Sequence, residues 1–211
     1  MTNLATLLIL ADSRLPTGGH VHSGGVEEAV TEGLVGDLVT LRAFLCRRIR
    51  TTGLVSASVA VAVHSGSLPV TRADHEIDAR TPAPAARQAS RAQGRGLLRL
   101  ARRVWPAGSW ETLGTTPHLA TVAGAVGAAS GLEPEQTGLT VVYTTMTNSA
   151  TAAQRLLALD PGDVAALTFE LAALCDETAA SACKELADLS DPLLDVLAQR
   201  HSQRERPLFA S

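Results

Sequence analysis

Two histidines, one residue apart in a glycine-rich stretch, are the first side chains whose types could do chemistry. His20 and His22 lie between Gly18 and Gly25, and imidazole nitrogens are common ligands of transition metals. Two imidazoles supply half of a tetrahedral site, and no third ligand is adjacent in the sequence. The alternative is a turn whose glycines let the backbone pack tightly against a helix. A nickel or zinc carrier would add three further histidines, His64, His75 and His118.

The same stretch contains residue types found in hydrolases, namely Asp12, His22 and Ser23. It has no Gly-x-Ser-x-Gly elbow and no Walker lysine, so no motif supports a serine nucleophile or a phosphate-binding loop. Glu27 and Glu28 begin a predicted helix, where acidic side chains offset the helix dipole. The sequence therefore gives no catalytic signature, and we expect no cofactor.

Five arginines recur every four residues between positions 87 and 103, so they share one side of a predicted helix. No aromatic residues are interleaved with them, which leaves base stacking unsupported. The net charge of −3 likewise gives no general attraction to nucleic acid or to an anionic membrane. The arginine stripe is either a solvated face or a docking surface for an acidic protein.

The composition of the 211-residue chain is typical of one all-α domain covering residues 1–211. Hydrophobic residues make up 45%, charged residues 18% and aromatic residues 3%. A core of aliphatic side chains with abundant alanine favours closely packed helices over a β-sandwich. Periodicity and helix breakers predict a bundle of about ten helices, with a Gly/Pro loop after the first helix and a flexible tail at residues 200–211.

Three of the predicted helices have distinctive signals. Asp37 is expected to cap a helix that Gly53 stops. Residues 54–64 are apolar on nearly all sides, as in a central buried helix. Residues 117–130 contain glycines that allow close helix approach. The other predicted helices cover residues 3–11, 26–31, 71–80 (capped by Thr71), 85–104, 135–159, 163–186 and 192–200.

Cysteine usage and the chain's apolar segments indicate the compartment. Cys46, Cys175 and Cys183 are widely spaced and form no CxxC pair or zinc spacing. The N-terminus lacks the basic start of a signal peptide. The longest apolar stretch, residues 54–63, is too short to span a bilayer. We therefore expect a cytoplasmic protein without nucleic-acid or membrane partners.

An ordered set of segments along nearly the whole chain carries a family resemblance. The first is an opening motif, a polar turn followed by Leu-Pro-x-Gly and, further on, Gly-Val-Glu. Further segments lie at residues 89–100, 117–132, 152–156 and 191–211. The motif residues are Asp12, Ser13, Pro16, Gly18, His22, Ser23, Gly25 and Glu27. Together these segments resemble the urease accessory protein UreF family.

The sequence departs from that family's pattern at four places. His20 stands where the family has an aromatic residue, and Val26 where it has a leucine. Asp160 to Asp163 belong to a stretch that replaces a Gly/Gln-rich segment. Pro207 separates Arg206 from the final Leu-Phe pair. These departures indicate a divergent branch of the family.

The resemblance implies a non-enzymatic scaffold. Proteins of that family are all-α dimers that join UreD (also called UreH) and recruit the GTPase UreG, and the assembly inserts nickel into apo-urease. We expect the tail to be mobile alone and to become ordered on a UreD-type partner, because it ends in an apolar pair without a helical period. Its removal should then hardly affect the fold. The predicted partner-binding residues are Arg91, Arg95, Arg155, Arg200, His201, Arg206, Leu208, Phe209 and Ser211.

Overall fold

The backbone confirms the predicted all-α class. A computed structural model describes residues 3–205 and 207–209, with His20 described by its backbone alone. Every regular element in these residues is helical. The α-helices are α1 Leu4–Leu10, α2 Val26–Thr31, α3 Leu38–Arg48, α4 Leu54–His64, α5 Val70–Arg80, α6 Pro84–Val104, α7 Leu119–Ala129, α8 Pro134–Leu157, α9 Pro161–Glu170, α10 Ala172–Ala182 and α11 Pro192–His201. Short 3-10 turns lie at Gly19–Val21 and Trp110–Leu113, and a π-helical turn at Ile49–Gly53.

Helix α4 lies at the centre of the molecule because its sequence is apolar on nearly all sides. It packs against α7, α8 and α10, and Val59 and Ala60 have no exposed surface. The hydroxyl of its buried Ser58 donates to the carbonyl of Val55 (2.9 Å) and accepts from the amide of Ala187 (3.1 Å). The polar group is therefore satisfied inside the core, and the predicted central position of this helix is confirmed.

Glycines determine how closely the helices around α7 approach, and two of them face neighbouring backbone. A Cβ atom on Gly124 of α7 would collide with the carbonyl oxygen of Ala60 in α4. A Cβ atom on Gly94 of α6 would collide with the carbonyl oxygen of Pro117, just before α7. The close approach predicted for α7 therefore depends on missing side chains. A larger residue at either position would push α4, α6 and α7 apart.

The junction of α3 and α4 differs from the prediction. Asp37 caps α3 as expected, and its carboxylate accepts the amide of Thr40 at 2.8 Å. The prediction that Gly53 stops the helix is wrong, because the chain continues through the π-helical turn directly into α4. Gly53 keeps a helical backbone (φ −63°, ψ −51°) and is buried. A Cβ atom there would lie 3.1 Å from the carbonyl oxygen of Arg48. The missing side chain of Gly53 therefore allows close packing of the backbone in this turn and does not end the helix.

Two further boundaries were also predicted wrongly. Helix α5 begins directly after Pro69, with no side-chain cap, so Thr71 lies inside it. The helix predicted over residues 163–186 is two helices, which meet at Leu171. The first of these begins at the departure from the family pattern, where the Asp160 carboxylate accepts two amides of α9 at 2.7 and 3.1 Å. That departure therefore has a local role as a helix cap.

Candidate functional site

The N-terminal motif, residues 12–27, forms a loop that leads into α2 and packs against α8. At its exposed end, hydrogen bonds from Arg14 lower the pKa of Asp12 to about 2. At its buried end, the Ser149 hydroxyl donates to the carbonyl of Ser23 at 3.0 Å, and Arg48 donates to the carbonyl of Gly24. The motif residues divide accordingly: Ser13 and Pro16 are exposed, Gly18 and His22 are half-buried, and Ser23, Gly25 and Glu27 are buried.

Glu27 is the buried acid at which this motif meets the C-terminal segment. Its carboxylate accepts from the imidazole Nε2 of His201 at 2.7 Å. It also accepts the backbone amides of Leu208 (2.8 Å) and Phe209 (3.0 Å). Burial alone would raise the pKa of Glu27, but these hydrogen bonds outweigh burial and place the pKa below its ordinary value. Glu27 is therefore ionised at neutral pH and satisfied by donors from the other end of the chain.

Two more acids, one in α2 and one directly after it, pair with arginines near the C-terminus. Arg204 donates to Glu28 at 3.0 Å and to the hydroxyl of Thr31 at 2.8 Å, and Arg200 pairs with Glu32 at 3.1 Å. The sequence suggested only a helix-dipole role for the acids of α2. Buried carboxylates need such partners, so the pairing defines a terminal cluster. Its members are Glu27, Glu28, His201, Arg204 and the amides of Leu208 and Phe209.

A second polar cluster joins α5, α6 and the start of α7. His118 Nε2 lies 2.9 Å from the Asp78 carboxylate, and its Nδ1 lies 3.0 Å from the hydroxyl of Ser90. Arg91 donates to Asp74 at 3.0 Å and to Asp78 at 2.8 Å. Burial lowers the pKa of His118, and the bond to Asp78 offsets this only in part. The neutral imidazole thus donates to Asp78 and accepts from Ser90. We call these five residues the interhelical cluster.

This cluster has the residue types of a hydrolase triad, but its side chains bind backbone amides at the start of α7. His118 has no exposed surface, and its backbone amide donates to Asp74 at 3.0 Å. The Ser90 hydroxyl also accepts the amide of Leu119 at 3.3 Å. The cluster therefore satisfies amides at the N-terminus of α7, which have no partner within the helix. Of the hydrolase residues considered from the sequence, Asp12 is bound to Arg14 and Ser23 is buried.

The histidines of the carrier hypothesis lie on separate elements. His64, at the end of α4, is 2.8 Å from the hydroxyl of Thr137. His118 belongs to the interhelical cluster, and His75 is exposed on α5. Within residues 3–205 and 207–209, the side chain of His20 excepted, no group of three or more His, Cys, Asp or Glu side chains is placed to hold a metal ion. No helix in the same residues is long and apolar enough to cross a membrane.

The predicted partner-binding residues occupy different environments. Arg95 and Arg155 are exposed, and Leu208 is 79% exposed. Arg91 and His201 are instead committed to contacts within the chain, and His201 is 3% exposed. In the free chain these two side chains serve the fold and do not offer a docking surface. The other predicted residues are Arg200, which pairs with Glu32, Phe209, which packs half-buried against the main core, and Arg206 and Ser211, which lie outside the described residues.

This geometry defines the class of the protein. It is an all-α chain in which the N-terminal motif and the C-terminal segment meet in a buried ionic cluster. The UreF family model matches residues 35–172. The urease accessory proteins UreF of Mycolicibacterium vanbaalenii and of Mycobacterium sp. (strain JLS) are 74% and 75% identical to this chain, over 214 and 211 residues. That of Mycobacterium tuberculosis (strain CDC 1551 / Oshkosh) is 67% identical over 211 residues. Each comparison covers both chains completely. The chain belongs to the UreF family of urease accessory proteins, which confirms the resemblance seen in the sequence.

Proposed function

We propose that this chain is an adaptor of urease maturation. It joins a UreD/UreH-type partner and recruits a UreG-type GTPase to apo-urease for nickel insertion. It acts in the cytoplasm as a homodimer, through binding rather than catalysis. The observation that carries this proposal is the match to UreF proteins over the entire chain. Two features of the described surface support it.

The first feature is an exposed apolar surface on α1. Leu4, Leu8 and Ile9 are each more than half exposed. They belong to a seven-residue helix that packs mainly against α8. Exposed apolar side chains grouped on one element are typical of protein-binding surfaces. Leu208 presents a further exposed apolar side chain in the C-terminal segment. We assign α1 and this segment to the UreD/UreH-type partner.

The second feature is the exposed part of the arginine stripe on α6. Arg95, Arg99 and Arg103 are exposed at helical spacing, whereas Arg91 is held by the interhelical cluster. A row of exposed positive charges speeds and orients association with an acidic surface. Arg155 is exposed on α8 and adds to the available positive charge. These arginines are therefore the docking residues that we assign to an acidic partner surface.

A charge substitution in α1 tests the adaptor function. Leu8→Asp should weaken capture of a co-expressed UreD/UreH-type partner by tenfold or more, because an unpaired carboxylate would be buried in the interface, at a cost of about 1.4 kcal/mol or more. Urease activity and urease-bound nickel in the same cells should fall in parallel. Val104→Asp is the matched control, because Val104 is also exposed but lies at the end of α6. Normal capture and normal nickel loading with Leu8→Asp would contradict the assignment.

The homodimer is tested separately on the isolated protein. Sedimentation equilibrium at micromolar concentration should give twice the mass of the 211-residue chain. A mass equal to one chain under these conditions would contradict the dimeric part of the proposal and leave the partner assignments standing.

A further inference from the structure

Arg48 is a half-buried arginine that forms no ion pair with a carboxylate among the described residues. It is the last residue of α3, and its Nη1 donates to the carbonyl of Gly24. Its Nε is buried, with no hydrogen-bond partner in the described part of the chain. The preceding residue shows the contrast, because the Nε and Nη2 of Arg47 both donate to Asp191 at 2.7 Å. Two neighbouring arginines thus differ in that only the first has a counter-charge.

An unpaired charge in this position is energetically costly. Transfer of a cation from water to the protein interior is unfavourable unless an opposite charge and hydrogen bonds compensate it. Burial lowers the pKa of Arg48 to about 10, and Asp191 offsets this effect only in part. The guanidinium group is still protonated at neutral pH. The protein beside Arg48 therefore holds a positive charge and an Nε–H group without a hydrogen-bond partner in the described residues.

A cavity of about 260 Å³ lies beside this charge, and Arg48 forms part of its wall. Asn148 of α8 also lines the cavity, and its side-chain amide makes no hydrogen bond to any described residue. Thr52, Thr144, Thr145 and Ser149 add hydroxyl groups to a wall that is otherwise mostly apolar. An amide N–H and a guanidinium fork are the donors with which proteins bind oxyanions.

The acidic residues of the cavity wall do not supply the missing counter-charge. Asp12 is bound by Arg14, and Asp191 is bound by Arg47 and by Thr51. Asp195 accepts the backbone amide of Ala83 at 3.1 Å, and burial raises its pKa. None of the ion pairs among the described residues includes Arg48, and its neighbour Asp191 is paired with Arg47. The charge balance around the guanidinium thus favours an anion from solution.

We propose that this cavity binds a small oxyanion, with the Arg48 guanidinium as the counter-charge and the Asn148 amide as a second donor. The ligand chemistry is that of a carboxylate-type anion, such as formate or bicarbonate, or of a phosphate. Both present the oxygen atoms that a guanidinium fork recognises. The inference rests on the cavity and its charge, so it is independent of the adaptor function proposed above.

Titration of the full chain, labelled with nitrogen-15 in its arginines, tests the site. The Nε–Hε signal of Arg48, assigned by its absence in Arg48→Gln, should shift saturably with formate and bicarbonate, with phosphate, or with both. Chloride at equal ionic strength should give no saturable shift. Saturation by formate and bicarbonate alone supports a planar ligand, and saturation by phosphate alone supports a tetrahedral one. No saturation by any of the three, or a shift with nickel chloride but with none of the oxyanions, overturns the proposal.

Three variants separate binding from folding. Arg50→Gln removes an exposed arginine from the adjacent π-helical turn and should leave the titration unchanged. Asn148→Asp places a negative charge in the cavity and should weaken anion binding by at least tenfold, which corresponds to about 1.4 kcal/mol. If Arg48→Gln does not fold, Arg48→Lys supplies the signal assignment, and the Asn148→Asp comparison decides the outcome. Equal affinity in wild type and Asn148→Asp would overturn the site.

Discussion

The interhelical cluster and the terminal cluster both bury a histidine on a carboxylate, yet they connect the chain over very different distances. His118 and Asp78 are 40 positions apart and lie on helices that pack together. His201 and Glu27 are 174 positions apart and join the two ends of the chain. The first cluster holds the start of a core helix, and the second fastens a segment that includes the exposed Leu208. Similar chemistry thus serves rigid packing in one place and attachment of a chain end in the other.

Removal of the central imidazole of the interhelical cluster should give the largest effect. His118→Ala removes one hydrogen-bond partner from each of Asp78 and Ser90 and creates a cavity beside α7. We expect a loss of about 3–5 kcal/mol in the free energy of unfolding, measured by urea denaturation. His75→Ala, on the exposed side of α5, is the control and should change this free energy by less than about 0.5 kcal/mol. A loss below about 1 kcal/mol for His118→Ala would show that the cluster is dispensable.

Neutralisation of the central carboxylate of the terminal cluster should have an intermediate effect. Glu27→Gln keeps the shape of the side chain but removes the charge that accepts from His201 and from two backbone amides. We expect a loss of about 1–3 kcal/mol and faster hydrogen exchange at the amides of Leu208 and Phe209. Glu32→Gln removes only a surface pair with Arg200 and should preserve the exchange rates. Unchanged exchange in Glu27→Gln would separate the C-terminal segment from the cluster.

Deletion of residues 206–211 should have a smaller but measurable effect on the fold. The sequence predicted almost none, since the tail was expected to lack contacts in the free protein. The structure corrects this premise, because the amides of Leu208 and Phe209 donate to Glu27 and Phe209 packs against the main core. We expect a loss of about 1–2 kcal/mol, which corresponds to a melting temperature lower by about 2–8 °C. An unchanged melting temperature in calorimetry would restore the original expectation of a free tail.

The same contrast explains what could be predicted from the sequence. Helix α4 and the cap at Asp37 depend on residues within a few positions of one another, so periodicity and capping rules identify them. Gly53 was misread because its close approach to the Arg48 carbonyl depends on the path of the turn between two helices. The pairing of Glu27 with His201 depends on where the whole bundle brings the two ends of the chain. No local pattern contains that information.

Acidification should weaken the interhelical cluster before the terminal cluster. We expect its effect on the free energy of unfolding to be the smallest of the four. Burial holds the pKa of His118 below its ordinary value of 6.5. The stability that neutral His118 contributes is therefore complete above about pH 6.5. It is lost as the pH falls through the lower pKa of the folded state. The pKa of Glu27 is held below 4.5, so its contribution is lost only at still lower pH. Urea denaturation between about pH 7.5 and pH 5 should therefore show declining stability in the wild type and a flatter profile in His118→Gln.

The control for this profile is His75→Ala, which removes an exposed imidazole from α5 and should keep the wild-type slope over that interval. A wild-type profile that is flat between about pH 7.5 and pH 5, or equal slopes in wild type and His118→Gln, would contradict the assignment of the acid-sensitive step to His118. A slope lost in Glu27→Gln instead would transfer that step to the terminal cluster. The direction follows from burial, because protonation of His118 places a positive charge on an imidazole that has no exposed surface.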